Sequence, residues 1–355
     1  MSHYGCYYVV HGDDITSDSS GDDCYRFVKA AGRFRIVKRT PGISTTDLVG
    51  RMLLCTKTHF IKSVKDALAG EEGLGSVDER KATAADLSQR IRSYATDESG
   101  LRPGPPVWTW IGSDLAKLDH VVEEAGTFET LVNGKAPKPG QRIVYVDGGF
   151  DLFSSGHIEF LRQVVSYEEK EGRQRGWYET EEREKRLKDH GEDYDPAYVI
   201  VGIHDDDVIN HWKGLNYPVM NIFERGLCVL QCKVSGSWPS VSCKFSLTCC
   251  QYVHALIFST PFAPSQSYLE AMPFDVPSVV YHGPTTFIPL TYDPYVAPKR
   301  MGIFKETEKH AFQDVNAGEI VARILKSREA YEERQRTKLK KSAVEELTLL
   351  KEKSG

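Results

Sequence analysis

The residues Ser154-Ser155-Gly156-His157 follow a strand-forming run and a glycine pair, and in that setting they could hold an anion. Ile143, Val144, Tyr145 and Val146 are β-branched or aromatic, which favours a strand, and the chain can turn tightly at Gly148-Gly149. Ser154 and Ser155 are good helix N-caps. Ile158, Phe160, Leu161, Val164 and Val165 recur at helical spacing, so His157 falls in the first turn of a helix. A strand, a glycine turn and a helix start present free backbone N–H groups and the positive dipole end to whatever anion enters, and an imidazole there can donate to a phosphate oxygen. The same pattern also fits a buried strand-to-helix junction whose histidine is satisfied by protein.

Other candidates carry the same open alternatives. Arg39 and Ser44–Thr46 could cradle an anion at a second helix start, or form a loop and N-cap for the helix from Asp47. Lys213 could meet a phosphate, or be a solvated lysine favoured by a helix C-terminus. Arg225 could meet an anion or pair with a carboxylate. His11-Gly12 and His282-Gly283 end strand-like runs and either pack or line a pocket.

The elements that must position these residues include an internal repeat. Tyr8-Val9-Val10-His11-Gly12 resembles Val279-Val280-Tyr281-His282-Gly283. Asp23, Tyr25, Lys29, Gly32 and Phe34 match Asp293, Tyr295, Lys299, Gly302 and Phe304 at identical spacing, and Leu48–Leu53 resembles Ile320–Leu325. The chain therefore carries two copies of one fold. In the second copy a long α/β stretch separates the Val144 strand from His282, whereas the first reaches His11 at once. It reads as the back part of a domain. Tyr198–Ile203 is a nearly continuous apolar run, the pattern of a strand buried on both faces. Asp205 can cap a short helix ending at Gly214, and Asn221 with Glu224 resembles a capping box. The fold expected is α/β, a doubly wound, Rossmann-like parallel sheet in one partial and one complete copy.

The domain boundaries expected are 1–67 for the partial copy, 68–141 for a linker, 142–333 for the complete copy and 334–355 for a charged helical tail. Within the linker, Val107–Ile111 alternates like a strand, with its partner left open. The charged segment 167–195 reads as a solvated helical insertion. Residues 234–251, Ser- and Cys-rich and without a clear period, read as a translated intron, with a genuine loop as the alternative. Across 355 residues the formal net charge of −5 suggests neither nucleic acid nor an anionic membrane surface as partner. No apolar stretch approaches the length of a membrane span, and the start has no apolar core like that of a signal peptide. The eight cysteines show no paired C-x-x-C, which indicates neither a zinc site nor a disulfide framework.

Gly149–Phe153 followed by Ser154–His157 resembles the opening of the nucleotidyltransferase superfamily, whose signature is His-x-Gly-His at this helix start; Ser154 stands in the place of the first histidine. Arg39-Thr40-Pro41-Gly42-Ile43-Ser44-Thr45-Thr46-Asp47 resembles the Arg-Thr-x-Gly-x-Ser-Thr-Thr-Asp signature of cytidylyltransferases. Lys213-Gly214, Met220 and Glu224-Arg225 resemble their Lys-Gly…Met…Glu-Arg segment. Two such domains in tandem are similar to the ethanolamine-phosphate cytidylyltransferase family, over residues 1–59 and 142–333.

That resemblance implies transfer of CMP from CTP to phosphoethanolamine, giving CDP-ethanolamine and pyrophosphate in phosphatidylethanolamine synthesis, with Mg²⁺ on the triphosphate. It implies catalytic roles for His157 and Lys213. Nucleotide contacts would come from Gly148, Phe150, Arg225, His11, Gly12, Arg39, Thr40, Gly42, Ser44, Thr45, Thr46, His282 and Gly283. A cytoplasmic protein is expected, with a homodimer and peripheral association with the endoplasmic reticulum as open alternatives. The first copy holds the loop signature without the His-x-Gly-His half. The second holds most of that half, but its counterpart of the loop, Lys309–Glu319, lacks the Arg-Thr, Ser and Thr residues. Turnover by residues 1–355 is therefore expected to be at background. Two other functions stay open: a non-catalytic nucleotide-binding regulator or scaffold, and a cytidylyltransferase for choline phosphate or glycerol phosphate.

Overall fold

The computed structural model describes residues 5–13, 22–38, 44–97, 99–112, 125–233, 252–284, 292–329, 332, 333 and 336. The chain forms two compact units, Met1–Leu48 and Val49–Gly355. In the first, β1 (Val9–His11) leads through α1 (Arg26–Ala30) to β2 (Phe34–Ile36), and the two strands pair in parallel. Helix α2 (Thr45–Leu54) runs across the boundary between units.

The second unit continues with α3 (Val64–Ala69), α4 (Val77–Tyr94), β3 (Val107–Gly112), β4 (Gly126–Val132), β5 (Arg142–Gly148), α5 (Ser155–Gln174) and α6 (Thr180–His190). Next come β6 (Ala197–Ile203), α7 (Asp206–Lys213), α8 (Ile222–Leu230), β7 (Ala255–Phe258), α9 (Gln266–Glu270), β8 (Val279–His282), α10 (Val296–Arg300), β9 (Phe304–Glu306) and α11 (Ala317–Lys326). Among the described residues seven strands form one sheet in the order β4-β3-β7-β6-β5-β8-β9. All neighbours are parallel except β3 and β4.

Every residue of β6 is buried, as its continuous apolar run requires of a strand covered on both faces. Val144, Val146, Val199 and Val201 face one core layer, while Tyr145, Tyr198 and Ile200 face the other, with Tyr268 and Leu269 of α9. The sheet is laid down from β5 through β6 to β7 on one side, and then returns to place β8 on the other side of β5. The carboxyl ends of β5 and β8 thus form the switch point where open α/β sheets bind ligands.

Three local readings acquire structural detail. Val107–Thr109 pair in parallel with Leu256–Phe258, so this stretch extends the sheet beyond β7. The charged segment is not wholly solvated. Its Glu168 is buried because it accepts from Arg142 Nε and the Tyr281 hydroxyl, both at 2.9 Å, and its Arg186 is buried against the Trp177 ring at 4.3 Å. The Asn221–Glu224 capping box forms, with Glu224 N donating to Asn221 Oδ1 at 3.0 Å. Residues 234–251 and nearly all of the tail lie outside the described residues. No helix among the described residues is long and apolar enough to cross a membrane.

Candidate functional site

The turn from β5 into α5 is tight and rigidly held. Phe150 and Leu152 both take left-handed φ values, 49° and 46°, which non-glycine residues adopt at a cost. Burial of both side chains and the Asp151 carboxylate hold them there. Asp151 accepts from the backbone N–H groups of Leu152, Val219 and Met220 at 3.0, 2.9 and 2.9 Å, so it staples this turn to the α7–α8 connection. Gly156 is required at the helix start by close approach: a Cβ there would stand 2.9 Å from the carbonyl oxygens of Phe312 and Val315.

His157 Nδ1 accepts from the Ser154 backbone N–H at 3.1 Å, which leaves the proton of the neutral ring on Nε2. Its ring stacks on Phe153, with centroids 5.4 Å apart, and packs on Phe150. Burial, with help from the Lys213 charge, pushes its pKa down to about 4, so at neutral pH it is an uncharged hydrogen-bond donor. Burial also lowers the pKa of Lys213, which ends α7.

These groups line a cavity of about 380 Å³ at the switch point. One wall is the end of β5 and the start of α5, with Asp147, Gly148, Phe150 and His157. A second is Trp212 and Lys213 at the end of α7, and a third is His282 and Gly283 at the end of β8. Residues 309–310 and 313–317 close the remaining side and bring the start of α11 to the cavity, where Asn316 caps that helix by accepting from Glu319 N at 3.1 Å.

At the cavity floor the Tyr295 hydroxyl donates to Asp147 Oδ1 at 2.6 Å and accepts from His282 Nδ1 at 2.7 Å. A hydroxyl has one hydrogen, so this arrangement fixes the His282 proton on Nδ1 and leaves Nε2 an acceptor. Burial raises the pKa of Asp147 to about 7 and lowers that of His282 to about 4. Asp147 Oδ2 is buried with no hydrogen-bond partner among the described residues.

The structure thus brings Gly148, Phe150, His157, Lys213, His282 and Gly283 to one cavity. Arg225 lies off its wall. It is fully buried, and it donates to Asp206 Oδ1 and to the carbonyls of Gly149, His204 and Met220 at 2.6, 2.6, 2.7 and 3.0 Å. Each guanidinium nitrogen is already used, so Arg225 positions the turns that build the site. In the first unit, His11 ends β1 and packs on Tyr25 at 4.7 Å, Gly12 follows it, and Ser44 precedes α2, whose first residues are Thr45 and Thr46. Arg39, Thr40 and Gly42 lie outside the described residues.

Sequence reasoning did not single out Asp147 or Trp212 and valued Tyr295 only as a repeat position. The strand-end position of Asp147, beside the glycine turn, was the available signal. No cluster of three or more His, Cys, Asp or Glu side chains suited to a metal occurs among the described residues. Three carboxylates line the cavity, those of Asp147, Asp151 and Asp314. Asp151 is taken up by the backbone N–H groups of Leu152, Val219 and Met220, and Asp314 offers the donor type that a Mg²⁺ ion would take, one or two protein carboxylates sufficing for such an ion.

No family model matches the chain. It is 32% identical over 342 residues to the ethanolamine-phosphate cytidylyltransferase of Mus musculus, covering 95% of this chain and 69% of that protein. To the ethanolamine-phosphate cytidylyltransferase of Dictyostelium discoideum it is 33% identical over 343 residues, covering 95% of this chain and 72% of that protein. Its likeness to choline-phosphate cytidylyltransferase 2 of Arabidopsis thaliana is 34% over 76 residues, 21% of this chain and 25% of that protein. Similarity to the first two runs through nearly all of this chain, and similarity to the third is local.

Proposed function

The chain belongs to the ethanolamine-phosphate cytidylyltransferase family, and from that premise we propose that the protein serves transfer of CMP from CTP to phosphoethanolamine, with the cavity of residues 49–355 as a pocket for these two substrates. The supporting observation is the convergence on one cavity of two helix starts, the neutral His157 donor, Lys213 and the partner-poor carboxylate of Asp147.

In the reaction the substrate phosphate attacks the α-phosphorus of CTP in line and pyrophosphate leaves, so the protein's work is to align the two and to stabilise added negative charge. His157 Nε2–H and the start of α5 would donate to phosphate oxygens, and Lys213 would bring a positive charge. A Mg²⁺ ion bound with CTP would offset part of the triphosphate charge. The ammonium of phosphoethanolamine would sit by Asp147, offering N–H donors to its carboxylate. A trimethylammonium group has no N–H to offer, which favours phosphoethanolamine over choline phosphate.

Calorimetry on residues 1–355 with CTP and Mg²⁺, and then with phosphoethanolamine, tests this reading. Binding of CTP weakened by His157→Ala, and of phosphoethanolamine weakened by Asp147→Asn, is the expected result. Absence of CTP binding, or binding indifferent to His157, would overturn it.

A further inference from the structure

The segment leading into α11 lies across the start of α5 and is tied down there. Ser154, at the position where the superfamily signature has its first histidine, donates its hydroxyl hydrogen to Val315 O at 2.7 Å. Phe312 O and Val315 O come so close to Gly156 that a Cβ would meet both at 2.9 Å. At its far end the segment is held by Glu308 N, which donates to the Tyr167 hydroxyl at 3.2 Å, and at its near end by the Asn316 cap of α11. Between these points its own turns close through Gln313 N to His310 O and Val315 N to Phe312 O, at 3.1 and 2.9 Å, while residues 311–314 stay exposed.

Carbonyl oxygens are the negative ends of peptide dipoles, and at the start of α5 they meet the positive end of a helix. They occupy electrostatically the place that a phosphate would take. A histidine in place of Ser154 has no hydroxyl with which to make this tie. We propose that residues 308–316 form a strap latched by Ser154, and that it must swing away from the start of α5 before an anionic ligand can engage the helix. The latch rests on the geometry alone; its control of ligand entry rests on the nucleotide reading of the cavity.

Two variants separate the latch from a mere helix cap. Ser154→Ala removes the hydroxyl. Gly156→Ala leaves it but drives the strap carbonyls outward, while favouring the helix itself. Amide hydrogen exchange of the full chain, over peptides covering residues 309–317, should quicken about five- to tenfold in Ser154→Ala, the size expected for one lost hydrogen bond. It should quicken in Gly156→Ala as well, with exchange along α5 no faster than in the parent. Ser154→Thr, which keeps the hydroxyl, should restore slow exchange.

Unchanged strap exchange in both alanine variants would overturn the latch, and so would quickening in Ser154→Ala alone accompanied by fraying of α5. Titration with CTP and Mg²⁺ tests the gate: affinity should rise in Ser154→Ala by the factor by which exchange rises. A released strap with unaltered affinity overturns gating. If neither parent nor variant binds CTP, the nucleotide reading fails, and the exchange data still decide the latch.

Discussion

Residues 9–36 and residues 280–306 repeat the same local structure in different surroundings. Val9 pairs with Phe34 and His11 with Ile36; Val280 pairs with Phe304 and His282 with Glu306. Tyr25 packs on Phe34 at 5.0 Å and on His11 at 4.7 Å, as Tyr295 packs on Phe304 at 5.1 Å and on His282 at 4.5 Å. Asp23 accepts from Tyr25 N and Lys29, and Asp293 accepts from Tyr295 N and Lys299 in the same way. Burial then diverges. Val9 is half-buried and Val10 59% exposed, whereas their counterparts Val280 and Tyr281 are 0% and 2% exposed; the second strands do not diverge, since Ile36 and its counterpart Glu306 are both exposed. The second copy has β5 paired along the other edge of β8 and the side chains of α5 in the same core, while β1 pairs only with β2 among the described residues. Local sequence therefore dictates the strand–helix–strand geometry and its ion pair, and longer-range neighbours decide whether it becomes core.

The helices that follow the two motifs differ too. Arg51 of α2 grips Glu224 through two hydrogen bonds at 2.8 and 3.0 Å and also donates to Val219 O, whereas Arg323, at the matching position of α11, is exposed.

The largest expected effect concerns catalysis. Removing one preorganised donor typically costs about a hundred- to a thousandfold in rate. The second-copy cavity has Ser154 for one imidazole, and its segment 309–319 supplies neither an Arg-Thr nor a Ser-Thr pair. We expect residues 1–355 to form CDP-ethanolamine at background rate in an assay with CTP, Mg²⁺ and phosphoethanolamine. Robust product formation, abolished by His157→Ala, would place a working catalytic site in the second copy and erase this contrast.

Burial gives the next effect, read by making one substitution in both copies. Val280→Ala deletes two methyl groups from a fully packed site and should cost about 2 kcal/mol, counting transfer and the cavity left behind. Val9→Ala, at a half-buried site, should cost less than about 0.5 kcal/mol. Urea unfolding followed by tryptophan fluorescence and by amide exchange in each unit would measure both. Equal costs would mean that the copies are equally buried in solution.

Smaller still is the effect of removing one hydroxyl. Tyr295→Phe deprives Asp147 of its donor and should cost about 1–2 kcal/mol, with the loss growing as pH rises; Tyr25→Phe should be close to neutral. The pH dependence follows from linkage. The folded-state pKa of Asp147, about 7, lies above the ordinary carboxyl value of 3.8, so the unfolded state releases this proton first. From this group alone, stability is unaffected below pH 4 and falls as pH rises from about 4 to about 7. Asp147→Asn should abolish that part of the slope, which thermal unfolding at stepped pH would show.

The second copy's local devices were legible because each depends on residues only a few positions apart. The strand, glycine turn and helix start around His157 and the Asn221–Glu224 box are of this kind. The Asp147–Tyr295–His282 chain was not, since its members meet only once β5 and β8 are neighbours. Arg225 misled for a related reason. A guanidinium suits phosphate and buried carbonyls alike, and only the crowding of Gly149, His204 and Asp206 around it decides between them. Glu168, in a segment that reads as solvated, is buried by partners on β5 and β8 that no local pattern reveals.

The smallest expected effect is that of deleting residues 234–251, and it asks whether the second copy's sheet is complete without them. On the two sides of this segment the chain is already in contact. Tyr252 N and Val253 N both donate to Cys232 O, at 2.7 and 2.9 Å, and Lys233 bridges Val253. Joining Lys233 directly to Tyr252 would turn the bond from Val253 N to Cys232 O into the i to i+3 bond of a β-turn, with the adjustment confined to that turn. It would also leave α8 connected to β7 by a segment of ordinary length and remove the entropy cost of closing a longer loop, a term that grows only slowly with length. The expected outcome is a midpoint of thermal unfolding within about 3 °C of the parent, corresponding to less than about 1 kcal/mol in a chain of this size. Protection of β7 and β8 amides from exchange should be unchanged. A drop of ten degrees or more, or lost protection in β7, would show that these residues contribute to the core and that the second copy is not closed by the described elements alone.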